Sequence, residues 1–436
     1  MDPLVIGLII IVALLVPIAL GVPVGIAMAA VSLGGMGILV GSPFLLTTAQ
    51  TLPYAVASDF AFVVVPMFIL MGALTAATGI TTELYTAAHR WTSGLRGSLY
   101  YATTMAAGGF GAINGSTVVS SVLFTRIALP EMARFGYSIP ISAGCVCAAG
   151  TFAALIPPSI AMVIYALLTE ESVGALLMAG LLPGVMTAGI YCVGIYFLVW
   201  AKPEIAPNQK QRFTISEKLS SMKGLWAVLV LIAIVMGGIY GGVMFPSTAG
   251  AAGAGGALVI GFVRRRLTGK SLWASLKESV VTTAVLFLII IGGLLLSRLL
   301  LVSGFIGAVT GFVSTAELSV WGFLLAAIAI YLVLGMFVDG VSMLVMTIPF
   351  LHPVALGLGL DPIWFGVIVV KLIEIGAITP PVGLNLFAVI GASRGAVDSR
   401  MLFRGVLPFI LMELVTLGLL VEFPEISLWL PQQMFN

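Results

Sequence analysis

Residues 376–386 read GAITPPVGLNL, a polar and proline-broken stretch inside an apolar run long enough to cross a bilayer. Pro380 and Pro381 carry no N–H, so the carbonyls of Gly376 and Ala377 lose their usual helical donors, and Thr379 is pushed out of the α region by the proline after it. Backbone groups left unpaired in hydrocarbon are costly, so a break of this kind survives only inside protein or beside a polar cavity. The freed carbonyls, with side-chain oxygens from Thr379 and Asn385, are suited to a small hard cation.

The rest of the chain confirms the solvent. Its 436 residues are 60% hydrophobic and 8% charged, and a mean hydropathy of +1.20 excludes a soluble domain. A span needs about 20 apolar residues, and the sequence is a near-continuous series of such runs with short loops. Cys145, Cys147 and Cys192 lie in apolar segments without metal or redox spacing and read as buried small hydrophobes. The start, MDPLVIGLII, has no basic stretch before its apolar run and is expected to be a retained first span.

Charge placement gives a topology. Basic residues cluster at Arg90 and Arg96, Arg126 and Arg134, Lys202 through Lys223, Arg264 through Lys277, and Arg394 through Arg404, marking the cytoplasmic side. Turns with acids and no Lys or Arg, at Asp59, Glu170 and Glu171, Glu317, Asp361, and Glu422 with Glu425, are expected outside, which makes the C-terminus periplasmic. Two runs begin and end on one side. Residues 98–134 are interrupted by GGFGAINGSTVVSS and residues 318–359 by MFVDGVS, so each reads as a re-entrant hairpin.

These hairpins belong to a repeat. Pro130 and Gly136 recur 223 positions later as Pro353 and Gly359, and Pro157-Pro158 recurs at the same offset as Pro380-Pro381. Arg134 is expected inside and Asp361 outside, so the copies are inverted, the pattern of secondary transporters. The expected fold is therefore all-α and polytopic, with two inverted repeats that each hold a hairpin and a broken helix. The units are residues 1–58 (scaffold helices and an interfacial segment), 59–200 (hairpin 98–134, broken helix 139–169), 201–279 (cytoplasmic linker and scaffold), and 280–436 (hairpin 318–359, broken helix 362–391).

Each break then faces a tip rich in Gly, Ser, Thr or Asn. Two cation sites are expected, drawn from Gly115, Ser116, Thr151 and Ala154 in the first copy and from Asp339, Gly340, Gly376, Ala377 and Thr379 in the second. Substrate contacts are expected from Asn114, Ser116, Thr117, Thr379 and Asn385. An ionisable group at the depth of Asp339 is expensive and functional by default, with helix capping as its other reading. Lys371 and Glu374, one turn apart, read as an internal ion pair. Arg298 either attracts an anion or snorkels to the interface, and Glu413 is a lone membrane acid. His89 and His352 lack metal-ligand spacing.

The runs GSTVVSSVLFTRIALPEMARFGYS, AAGTFAALIPPSIAMVIY and DPIWFGVIVVKLIEIGAITPPVGLNLF resemble the large membrane subunit (DctM-like) of tripartite ATP-independent periplasmic (TRAP) transporters over nearly the whole chain. The resemblance implies an elevator-type, sodium-coupled importer of small organic acids in a prokaryotic inner membrane. It also implies two partners, a small four-helix membrane subunit, expected here as a separate chain, and a periplasmic substrate-binding protein. At the first tip Asn114 stands where the family's first serine is usual. No cofactor beyond coupling sodium ions is implied. A stand-alone inverted-repeat transporter is the alternative. An enzyme is not expected: LTGKS at 267–271 has Arg264 where a phosphate-binding loop needs glycine, and no HExxH or GxSxG motif occurs.

Overall fold

The computed structural model describes residues 2–207, 213–315 and 319–435. Glu317, position 318 at the start of the second hairpin, and Lys210 and Arg212 of the basic linker lie outside the described residues.

Among the described residues the chain is helical throughout. Helix α1 (Pro3–Ala19) starts where the Asp2 carboxylate accepts the Leu4 N–H at 2.9 Å, with proline at a position that needs no N–H. It is followed by α2 (Val24–Leu39) and α3 (Ser42–Ser58), then by a 3₁₀ turn at Phe60–Val63, α4 (Val64–Ala77) and α5 (Ile80–Thr92). Helices α6 (Ser98–Asn114) and α7 (Thr117–Arg134) meet at Gly115. Helix α8 (Ile139–Ala149) loosens into a 3₁₀ turn at Gly150–Ala154 before α9 (Ile160–Thr169) and α10 (Val173–Ala201). Next come α11 (Ile215–Met222), α12 (Trp226–Tyr240), α13 (Pro246–Val263), α14 (Gly269–Val302) and α15 (Phe305–Thr315). Helices α16 (Val320–Gly335) and α17 (Gly340–Gly357) meet at Asp339. Helices α18 (Pro362–Ile378) and α19 (Leu384–Ala392) flank the second break, and α20 (Ser399–Glu422) and α21 (Glu425–Phe435) close the chain.

Among the described residues, 7 helical stretches are long and apolar enough to cross a membrane by length and composition, the first Phe60–Ala77 and the last Ser399–Glu422. Helix α14 has 34 residues, about 51 Å at 1.5 Å per residue. That exceeds the hydrocarbon thickness, so its Lys270 and Lys277 end can stand clear of the lipid.

Packing divides the helices by neighbour. Helix α14 lies along α2, α4 and α17, and α13 fits between α4 and α12. The two hairpins and the two broken helices exchange partners: the return leg α7 packs on α19, after the second break, and the return leg α17 packs on α9, after the first. Equivalent features recur at a constant spacing. The N-cap of α7 is Ser116 and that of α17 is Asp339, 223 positions apart. Gly136 and Gly359 end those legs at φ 74° and φ 76°. Both Pro-Pro bonds, Pro157-Pro158 and Pro380-Pro381, are cis.

Small residues let the breaks approach the hairpins. A β-carbon on Gly111 would lie 3.0 Å from the Ala153 Cα, and one on Gly335 would lie 2.5 Å from the Gly376 Cα. Closer still is the crossing of α8 and α20, where a β-carbon on Gly405 would fall 1.7 Å from the Pro140 carbonyl oxygen and one on Gly144 2.1 Å from that of Gly405. Backbone cannot yield as a side-chain tip does. Gly405→Ala should therefore destabilise the purified protein by about 1–3 kcal/mol, while Gly255→Ala, with nothing within 4 Å of the added carbon, should be neutral or better. Thermal unfolding in detergent checks both, and equal melting temperatures would show that the α8–α20 crossing is looser than described.

Candidate functional site

Both hairpin tips and both breaks meet at one cavity of about 290 Å³. The first tip contributes Asn114, Gly115, Ser116 and Thr117, the second Asp339 and Gly340, and the breaks Ala154, Ala377 and Asn385. The remaining wall is supplied by α4, with Ile69 and Ala73, and by α14, with Glu278 and Thr282.

Each tip is shaped by its own sequence. Gly115 takes φ 66°, left-handed backbone that glycine adopts without penalty, and its N–H caps α6 on the Gly111 carbonyl. A β-carbon there would sit 2.6 Å from the Pro158 carbonyl oxygen, so the tip closes directly on the first break. Asn114 donates through Nδ2 to the Ser116 carbonyl at 3.0 Å and to Ser120 Oγ at 3.3 Å. Its far side rests on α4 at Gly72, where a β-carbon would meet Asn114 Oδ1 at 2.7 Å. At the second tip the Asp339 carboxylate accepts the Ser342 N–H at 3.0 Å. Capping and cavity lining are thus held by the same side chain. Gly340 has ordinary helical backbone, and its lack of a side chain makes room for Ile373, whose Cγ2 lies 2.5 Å from where a β-carbon would be.

At the breaks the accounting of backbone groups is specific. The Ala154 carbonyl accepts from the Ser159 hydroxyl, and Ser159 caps α9 by accepting the Met162 N–H at 3.2 Å. Thr151 donates to the Ala148 carbonyl at 2.7 Å. In the second break the Gly376 carbonyl accepts the Thr379 N–H at 3.2 Å, and the Thr379 hydroxyl donates to Ile375 O at 2.6 Å. The loop is tied to the second hairpin by the Gly383 N–H on the Met336 carbonyl at 3.1 Å. Thr151, Gly376 and Thr379 are absent from the cavity lining, the first two buried and Thr379 half-buried. Hydroxyls that donate inward still keep lone pairs for another partner.

Two features of the cavity matter chemically. The first turns of four helices border it: Thr117 to Val119 of α7, Gly340 and Val341 of α17, Ile160 and Ala161 of α9, and Leu384 and Asn385 of α19. Helix N-termini present N–H groups and a positive dipole end, and so favour an anion. Asn385, fully buried, accepts from the Thr117 hydroxyl at 3.3 Å, while its Nδ2 has no hydrogen-bond partner. Against this, every charged side chain in the lining is acidic: Glu278, Asp339 and Glu374.

Behind Glu374 lies a closed polar cluster. Lys371, with no exposure, donates to Glu374 Oε2 at 2.9 Å and to Thr187 Oγ1 at 3.2 Å, and pairs with Glu413. Glu413 also accepts from the Tyr191 hydroxyl at 2.5 Å. The Lys371–Glu374 pair is the one read in the sequence. Its Glu413 arm was missed, although an unassigned acid in an apolar run is a signal for such a pairing. Glu278 and Thr282 were also missed, because their neighbourhood reads as the cytoplasmic end of a span. Arg298 is exposed, with its guanidinium 5.6 Å from the Phe44 ring centroid of α3.

Comparison with known proteins places this arrangement. Residues 11–426 match the model of the tripartite ATP-independent periplasmic transporter, DctM component. The chain belongs to that family. It is 36% identical over 403 residues to the C4-dicarboxylate TRAP transporter large permease protein DctM of Pseudomonas aeruginosa, covering 91% of this chain and 92% of the relative. It is 30% identical to the sialic acid TRAP transporter large permease protein SiaM of Vibrio cholerae, covering 94% and 96%. Among solved structures, the YdaH transporter of Alcanivorax borkumensis shares the fold, with a TM-score of 0.63 at 15% identity over 90% of this chain and 91% of that one. The protein is accordingly a multi-pass TRAP large permease and not an enzyme, from a family that works with a small membrane subunit and a periplasmic binding protein.

The buried cluster yields a stability test. Removing one partner of a buried pair strands the other charge, at a cost of about 3–5 kcal/mol. Lys371→Met should sharply lower the yield of monodisperse protein, and adding Glu413→Gln should restore part of it. Size-exclusion profiles and melting temperatures read this, and a well-folded Lys371→Met protein would show that the cluster is not holding α10, α18 and α20 together.

Proposed function

We propose that this permease imports a small organic acid with sodium by an elevator movement, and that the cavity between the two tips is where acid and sodium meet. The observation that carries the reading is the opposition of charge within one enclosure. Four helix N-termini and the free Asn385 amide suit a carboxylate, yet the lining also holds Glu278, Asp339 and Glu374 and no Lys or Arg. Glu374 is already paired with Lys371, but an anion entering beside Glu278 and Asp339 needs cations to accompany it. Sodium ions held by carbonyl and hydroxyl oxygens near Gly115, Ser116, Thr151 and Ala154, and near Asp339, Gly340, Gly376, Ala377 and Thr379, supply that balance and make uptake depend on their gradient.

The constant spacing of 223 positions and the exchange of partners between hairpins and breaks support two inverted repeats. On that reading the hairpins and broken helices travel as one body against α1 to α4 and α12 to α14. The cavity wall formed by Ala76, beside the α5 that bears Arg90, and by Glu278, next to Lys277, belongs to the side marked cytoplasmic by its basic residues. That supports an inward-facing arrangement. The relatives' names point to dicarboxylates and sialic acid as the class, and the family supports a small membrane subunit and a periplasmic binding protein as partners in an inner membrane.

Uptake of radiolabelled succinate and of sialic acid into proteoliposomes holding all three components tests this. It should require an inward sodium gradient and rise steeply with sodium, and unchanged uptake with choline on both sides would remove sodium from the mechanism. Asp339→Asn should keep the α17 cap yet weaken the sodium dependence. Gly115→Leu should abolish uptake while the protein still co-purifies with its small subunit, because the first tip can no longer close on Pro158.

A further inference from the structure

A second cavity, about 320 Å³, opens at the other end of α7 and is lined by Thr125, Arg126, Ser393, Arg394 and Ala396 among others. Both arginines are exposed to it, and neither has a carboxylate or hydrogen-bond partner among the described residues. Of the nearby acids, Asp398 is engaged elsewhere, capping α20 by accepting the Met401 N–H at 2.7 Å.

Two details set this pair apart from ordinary interfacial arginines. Arg126 is eight residues short of Arg134, so it lies about 12 Å along α7 from that helix end. It therefore stands on the cavity wall and not at the helix end, where an unpaired guanidinium suits an anion. Arg394 takes φ 53° and is followed by Gly395 at φ 88°. A bulky side chain thus occupies a left-handed position that glycine would fill at less cost, which points to use of the guanidinium there.

The position relates the pair to the tip cavity. Helices α7 and α19 pack along each other and border both cavities. From Thr117 to Arg126, and from Asn385 to Ser393, the distance along either helix is about 12–14 Å. We propose that Arg126 and Arg394 form a second anion subsite, at the cytoplasmic end of the α7–α19 seam, which takes the substrate's carboxylate as it leaves the tip cavity. The acidic tip cavity loses its cations inward, and a carboxylate then left beside Glu278 and Asp339 is drawn to the nearest unpaired positive groups. The subsite rests on reading the tip cavity as the substrate site, but its charge preference can be measured without transport.

The full chain bearing Ala396→Cys, in phosphatidylcholine nanodiscs, is reacted with a sulfonate-bearing and with a trimethylammonium-bearing methanethiosulfonate. Labelling of Cys145, Cys147 and Cys192 is subtracted using the unsubstituted chain. The sulfonate reagent should react about tenfold faster than the cationic one relative to their rates with a free thiol, and millimolar succinate should slow it where sodium chloride of equal ionic strength does not. Arg126→Gln with Arg394→Gln should remove both effects, and Arg126→Lys with Arg394→Lys should keep most of the rate preference. Equal rates for the two reagents in the Ala396→Cys chain would overturn the subsite. So would indifference to succinate combined with blockage by added phosphatidylglycerol, which would assign the arginines to a lipid phosphate. Neither result bears on sodium dependence, and loss of sodium-driven uptake would leave the labelling result standing.

Discussion

A peptide group cannot be left unpaired in lipid, and this chain breaks two helices where lipid would otherwise surround them. Everything at the centre of the molecule answers that constraint. Each break is covered by a hairpin tip, each tip approaches through glycine, and the released carbonyls find specific donors: the Ser159 hydroxyl for Ala154 and the Thr379 N–H for Gly376. The close contacts of Gly111 with Ala153 and Gly335 with Gly376 are the steric side of the same requirement. Larger residues there would hold the hairpins off and readmit lipid to open backbone.

The buried ion cluster serves the breaks from behind. Lys371 and Glu374 stand on the last turns of α18 before Thr379, and Glu413 and Tyr191 reach them from α20 and α10. Charges desolvated this completely are held only by close mutual geometry. The cluster therefore fixes the orientation of α18 at the point where its own hydrogen-bond ladder ends. A broken helix whose stub could rotate would not present Ala377 and Glu374 to the cavity in one arrangement.

Much of this was legible in the residues. Proline pairs and glycine-rich interruptions are local signals with direct backbone meaning, and helices end where they fall, at Asn114, Gly335 and Ile378, while helical spacing gave the Lys371–Glu374 pair. What escaped was set by the packing of distant segments. Glu278 sits beside Lys277 and reads as a solvated helix end, and only the crossing of α14 past the tips turns it into cavity wall. The Glu413 partner is 42 positions from Lys371, and Thr151 and Thr379 carry suitable oxygens yet do not line the cavity. Sequence spacing shows which oxygens a break can offer. It does not show which of them are already donating to the turn before.

The two halves of the site are alike in backbone and unlike in charge. At the position that caps the returning leg, one hairpin has Ser116 and the other Asp339, and each bonds the N–H three residues on. The structural task is the same, so the difference falls on the cavity: one tip offers it a hydroxyl and the other a full negative charge. A cation beside Asp339 gains Coulomb energy that one beside Ser116 does not. On the proposed reading the two coupling sites are therefore of unequal affinity within a symmetric frame. Apart from the three acids, the groups turned toward the cavity are helix N-termini, two amides and a few hydroxyls, which recognise a carboxylate but distinguish little about the rest of the molecule that bears it. Discrimination among acids of similar size must then come from the shape of the cavity or from a protein that delivers them, because the helix ends that close the breaks present the same N–H groups to any carboxylate.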